Sequence, residues 1–279
     1  MLPSVRCMSA PIPPIPRDIP DLPAIPGVPI LMPSHVPATA VATPARRRPT
    51  AAFRLLTALT ATAAVAIELT LGSPLRTLSH FAIQSNILLA LVFAASARLA
   101  WTARRPLPSS LTGATLLYAL ITGLTYHLLL ANDSSPFALP GVLTGSAADP
   151  TGWHAVTTQI LHTVTPLAAL LDWLLLTPSR DLHLRQAAPW LLYPVAYLGF
   201  VLTRGEFLVP AEPARYLYPF LDVADHGLKS VLGNALLLGL GMYALALLLV
   251  TLDHIRPNPL RGRVHHRSQT GFRLQPPVG

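Results

Sequence analysis

The chain has 279 residues, 52% of them hydrophobic and 11% charged, with a formal net charge of +8. That balance excludes a soluble domain and points to an integral membrane protein. Its one cysteine, Cys7, excludes an intrachain disulfide and a thiolate metal site.

The first 50 residues hold 13 of the 30 prolines, in repeated Ile-Pro and Leu-Pro steps followed by Arg46, Arg47 and Arg48. Such a segment forms no packed core, so residues 1–50 are expected to be a disordered cytoplasmic tail whose partner, if it has one, is unidentified. Proline interrupts every apolar run in it, which argues against a cleaved signal peptide. Segments of about 17–25 mainly apolar residues then recur near 54–73, 78–99, 110–131, 153–176, 189–204 and 227–252. They predict an all-α fold, a polytopic bundle of six transmembrane helices over residues 51–254. The fifth segment is short, and Pro194 and Gly199 predict an interruption there. Residues 255–279 are expected to be a basic, disordered tail.

Sixteen of the 20 Lys and Arg fall in the two tails, at the start of the first span, and in the stretches around 98–105 and 180–185. Arg76, Arg204, Arg215 and Lys229 fall on the other side. This bias puts both termini in the cytoplasm of a multi-pass plasma-membrane protein. The basic surplus is therefore a topology signal with added attraction to anionic headgroups: membrane lipids are the expected partners and nucleic acid is not.

Polar side chains inside a span are costly and need an interior partner or a functional reason. On the expected topology Glu68, His80, Gln84, Asn86, His127, His154, Thr158, Arg204 and Asn234 share the outer half of the bilayer. At 1.5 Å per residue, Asn86 lies roughly 12 Å below Leu78 and His162 roughly 13 Å below Trp153, so the two meet near the midplane. Ser, Thr, Asn and Gln also serve as interhelical glue at about 0.6 kcal/mol per bond, a reading that stays open for Gln84, Ser85, Asn86 and Asn234. His162, ionisable and deep, points to a catalytic or ligand role. Asp172, beside Trp173 and nearer the inner interface, fits anchoring as well as chemistry. Despite ten histidines there is no HExxH and no i, i+4 histidine pair in a helix, so neither a metal nor another cofactor is expected.

The segments HFAIQSN at 80–86, LHTVTPLAALLDW at 161–173, YPVAYLGFVLTRG at 193–205 and YPFLD at 218–222 with Gly227 resemble, in order and spacing, the bacterial Pr-six-Pr family of six-helix membrane proteins. That family is similar in turn to the androgen-induced integral membrane hydrolases of animals. The resemblance implies a hydrolase of fatty-acid esters of hydroxy fatty acids, with His162 at the histidine position and Asp172 at the acidic one. The position of the family's threonine is Ala82 here, and a substitute hydroxyl falls to Ser79 or Ser85. Ser85 is then the candidate nucleophile, His162 its base, and Asn86 or Gln84 the oxyanion donor. His80, His127, Arg204, Tyr218 and Asp222 are candidate substrate-binding residues, with Arg204 as a headgroup clamp and Pro219 and Phe220 as a lid. A lipid-binding or lipid-moving protein without catalysis is the alternative reading.

Overall fold

A computed structural model describes residues 47–132, 134–137, 152–209 and 215–258. The described residues are helical with short connections. Helix α1 spans Arg48–Leu71, α2 Pro74–Ser79, α3 Phe81–Trp101, α4 Ser109–Leu130, α5 Trp153–Leu176, α6 Leu184–Trp190, α7 Leu192–Phe207 and α8 Val223–Ile255. Five of these, α1, α3, α4, α5 and α8, are long and apolar enough to cross a membrane.

The expected fifth span is divided. Pro189 lies inside α6, the chain breaks at Leu191, and Pro194 sits in the first turn of α7, where a missing N–H costs little. The break therefore precedes Pro194, and Gly199 is passed without interruption. With 16 residues, α7 is about 24 Å long, short of the roughly 30 Å hydrocarbon core. The first helix begins earlier than expected, at Arg48 with Pro49 in its first turn, so the end of the predicted tail is helical. The rest of that tail, and the second tail from residue 259, lie outside the described residues.

Small residues set the tightest helix pairing. Ala58, Ala61 and Ala64 are buried along α1, which packs closely on α3, as small side chains allow in lipid. Gly113 of α4 serves the same end, since a Cβ there would lie 2.5 Å from the Trp190 ring. Trp190 Nε1 donates to the Ser110 carbonyl at 2.8 Å, and Tyr118 donates to the Trp190 carbonyl at 2.7 Å. These bonds tie α4 to α6.

Arg47, Arg48, Arg54, Arg98, Arg104, Arg180 and Arg256 gather where α1 and α4 start and α3, α5 and α8 end. At this basic end, Asp253 is fully buried and accepts from Trp173 Nε1, the Leu182 N–H and Arg256. Arg256 also donates to the carbonyls of Trp173, Leu174, Thr177 and Pro178 and lies over the Trp173 ring. One carboxylate and one guanidinium thus clamp the end of α8 to the end of α5. Elsewhere α8 is loosely held. Only 17% of its apolar stretch is buried, and Gly227, at φ +74°, breaks it after its first turn.

Asp253→Ala leaves Arg256 buried without its carboxylate and is expected to cost about 3–5 kcal/mol, read as a lowered unfolding midpoint of the purified protein in detergent.

Candidate functional site

The bridge between α3 and α5 is built on Asn86. Its Nδ2 donates to the carbonyls of Ala82 and Leu161, at 2.8 and 3.1 Å, and its Oδ1 accepts from Thr165 at 2.6 Å. Both amide protons are engaged, which removes Asn86 as a free oxyanion donor. A second bridge joins α1 to α5 at the end away from the arginines. Glu68, 2% exposed, accepts from Thr157, with His154 Nδ1 3.3 Å from its other oxygen.

Between these bridges α5 loosens into a π turn at Ile160–Val164, and α4 does the same at Tyr126–Leu130. Pro166 accounts for the first. It has no N–H for the His162 carbonyl, and the Thr165 N–H reaches back to Ile160 instead. Gly123 of α4 lies against this bulge, and a Cβ there would sit 3.0 Å from the His162 carbonyl and 3.2 Å from Pro166.

The bulge carries His162, 4% exposed, with its ring 4.4 Å from that of Tyr126. Nδ1 is 3.0 Å from the Thr158 carbonyl. A carbonyl only accepts, so Nδ1 carries the proton and Nε2 is the acceptor of the neutral ring. His162 borders a cavity of about 570 Å³ together with Ala82, Thr122, Thr125, Tyr126 and Tyr197. Besides Tyr197 and Tyr243, α7 and α8 line it with apolar side chains, including Val195, Leu232, Leu236, Leu238 and Met242.

Ser85 does not line this cavity. Its hydroxyl meets Thr122 Oγ1 at 2.8 Å and the Ala82 carbonyl at 3.0 Å. Thr122 in turn reaches the Tyr118 carbonyl at 2.9 Å, so each hydroxyl of the pair also has a backbone carbonyl of its own helix to donate to. No hydrogen bond joins it to His162. Gln84 donates to the Leu78 carbonyl and accepts from Tyr193, each near 2.9 Å. Asp172 pairs with Arg54 through two bonds of 2.8 and 3.0 Å at the basic end, ten residues or about 15 Å along α5 from His162. It anchors α1 and is not among the groups around the histidine.

The proposed substrate-binding residues divide likewise. His80 is buried, donates through Nδ1 to the Arg76 carbonyl and meets the edge of Tyr218. Tyr218 lines the cavity, stacks on Phe220 and reaches the Tyr197 hydroxyl. Burial pushes the Tyr218 hydroxyl up to about 12, with the N–H groups of Phe81 and Ala82 pulling the other way. It is a neutral donor at ordinary pH. His127 is exposed and its Nε2 is 2.9 Å from Thr163. Arg204 donates to the Arg215 carbonyl, which shapes the loop. Asp222 caps α8, accepting from the N–H groups of Ala224 and Asp225.

Sequence reasoning did not single out Tyr197, Tyr126 or Thr122. Tyr197 donates to the Ser79 carbonyl and accepts from the Phe81 N–H at the start of α3. Its signal was the i, i+4 tyrosine pair 193 and 197 in an otherwise apolar run. Compared with known proteins, the chain matches no family model, no curated protein and no solved structure.

Two changes probe this geometry. Removing Asn86 and Thr165 singly and together is expected to give a coupling of about 0.6 kcal/mol, and not above about 1.7, in a double-mutant cycle. Gly123→Ala is expected to cost about 1–3 kcal/mol by overpacking against the bulge, seen as a lower thermal midpoint.

Proposed function

We propose that this chain, whose five long apolar helices fit an integral membrane protein, takes the acyl chain of a membrane lipid into the cavity between α4, α7 and α8, with the lipid's polar part among Thr122, Tyr126, His162 and Tyr218. In this proposal α7 and α6 complete a sixth crossing, the basic end faces the cytoplasm of the plasma membrane, and the chain belongs with the six-helix family its motifs resemble.

The observation that supports this reading is the division of the cavity's wall. A space of about 570 Å³, within the roughly 300–1,000 Å³ typical of ligand sites, is lined along α7 and α8 by apolar side chains besides Tyr197 and Tyr243, while Thr122, Thr125, Tyr126 and His162 stand among Ile121 and Leu130 along α4 and α5. An acyl chain matches the first wall and an ester or carboxyl group the second.

Ester cleavage is the second reading, and one observation favours it. His162 borders the cavity with Nδ1 held as a donor, which leaves Nε2 to take a proton from a hydroxyl or water attacking an ester carbonyl. The Tyr218 hydroxyl becomes a donor for the oxyanion once its proton turns away from the Tyr197 hydroxyl. The carboxylate of Asp172, engaged by Arg54, has no part in this step; the Thr158 carbonyl orients the imidazole.

A photoactivatable acyl lipid in nanodiscs is expected to label peptides of α4 and α8. Gly239 lines the cavity and a Cβ there meets nothing within 4 Å, so Gly239→Trp fills the space and is expected to cut labelling about tenfold or more. Equal labelling in that variant overturns lipid capture. Turnover of fatty-acid esters, lost in His162→Ala, is the expected outcome of the second reading; a silent wild type removes it.

A further inference from the structure

The basic end holds a second cavity, of about 220 Å³, between the starts of α1 and α4 and the ends of α3 and α5. Its floor is apolar, with Phe93, Leu116 and Trp173. Most charges around it are engaged. Asp172 is held by Arg54, and Asp253 by Arg256 and the Leu182 N–H.

Two are not. Arg104, after α3, and Asp181, before α6, both line this cavity. Both residues are exposed, and among the described residues neither side chain has a hydrogen-bond or ion-pair partner, nor do they pair with each other. Each also follows a residue in left-handed backbone, Ala103 at φ 54° and Arg180 at φ 68°, the two non-glycine residues with positive φ among those described. At Ala103 this is the helix-ending turn of α3, in which the Arg104 N–H returns to the Leu99 carbonyl at 3.0 Å, and the Arg180 N–H is held by the Asp253 carbonyl at 3.1 Å. Burial and the neighbouring Asp253 carboxylate push Asp181 above the usual carboxylate range, against the pull of Arg256 and His183. The Asp181 carboxylate is thus poised to gain from a cation.

We infer that this cavity binds a group carrying a phosphate and a primary ammonium, the chemistry of phosphoethanolamine, with the phosphate on Arg104 and the ammonium on Asp181. A guanidinium presents paired donors to phosphate oxygens. A primary ammonium donates N–H bonds to a carboxylate, whereas a quaternary one asks for an open aromatic face. The nearest such face, Trp173, already carries Arg256 at 4.6 Å. A purely anionic headgroup meets repulsion from Asp181, which supplies discrimination. Trp101, exposed at the end of α3, marks the headgroup level of the bilayer, so a phosphatidylethanolamine lipid reaches this depth directly. Soluble phosphoethanolamine is the other source of the same chemistry.

The test uses the full chain in detergent, titrated by native mass spectrometry with phosphatidylethanolamine, phosphatidylglycerol and phosphatidylcholine of equal acyl chains, and with soluble phosphoethanolamine. Phosphatidylethanolamine is expected to bind about tenfold more tightly than either other lipid, the scale of one charge-assisted contact. Arg104→Gln weakens both phosphatidylethanolamine and phosphatidylglycerol. Asp181→Asn erases the preference between them while leaving phosphatidylglycerol binding at least as tight, which a folding defect does not do. Arg104→Lys and Asp181→Glu keep the charges and retain most of the preference. Soluble phosphoethanolamine bound with the same two sensitivities, and no lipid preference, upholds the site with a soluble ligand. Equal binding of all ligands, or a preference that survives both neutral variants, overturns it.

Discussion

A polar side chain in hydrocarbon has no water to turn to, and its groups must be satisfied by the protein itself. In this chain that constraint is met first at Asn86, whose donors and acceptor all reach carbonyl or hydroxyl partners on α3 and α5. The two bonds that cross, to the Leu161 carbonyl and from Thr165, fix the axial register of α3 against α5, and Glu68 with Thr157 and His154 fixes α1 against the same helix. Register matters here because everything at the candidate site is placed by it. Were α3 to slip a turn, the start of the helix would leave the Tyr197 hydroxyl, and Ala82 would leave the cavity wall.

The second determinant is a single missing proton. Pro166 deprives the His162 carbonyl of its helical donor, and the chain answers with a π turn. The turn brings the His162 ring against Tyr126 and the cavity, while Gly123 lets α4 approach the freed carbonyl. The position of the histidine is thus a consequence of backbone chemistry four residues further on.

The helices were legible in the sequence because apolar length needs no tertiary information: five of the expected segments appear as long helices close to where hydropathy put them. The interruption of the fifth was legible too, although its place was not. Pro194 costs nothing in a first turn, and the break fell between it and Pro189. Much less of the site was legible. That Asn86 reaches the level of His162 on α5 followed from counting residues, but their partners did not. Thr165 is 79 residues from Asn86, and Arg54 is 118 from Asp172. No local pattern announces such pairs. Asp222 was read as a ligand group although an Asp just before a helix is an ordinary cap signal, and it is engaged as one.

The polar groups of the membrane-embedded part therefore fall into two sets. Asn86, Glu68, Asp172 and Asp253 bind helix to helix. His162, Thr122, Tyr126 and Tyr218 also have partners, yet they face a space that protein atoms leave open. The far wall of that space is α8, clamped at its end by Asp253 and Arg256, resting on Phe220 through Asn234 near its start, and hinged at Gly227. Its middle packs on little else. An apolar void lined this way forfeits the dispersion contacts that close packing supplies, and a bilayer holds acyl chains at high concentration beside it. In the proposed lipid-binding reading, occupancy by a chain of matching shape restores those contacts without moving the helices that fix the register, and the bilayer itself completes the loosest helix of the structure.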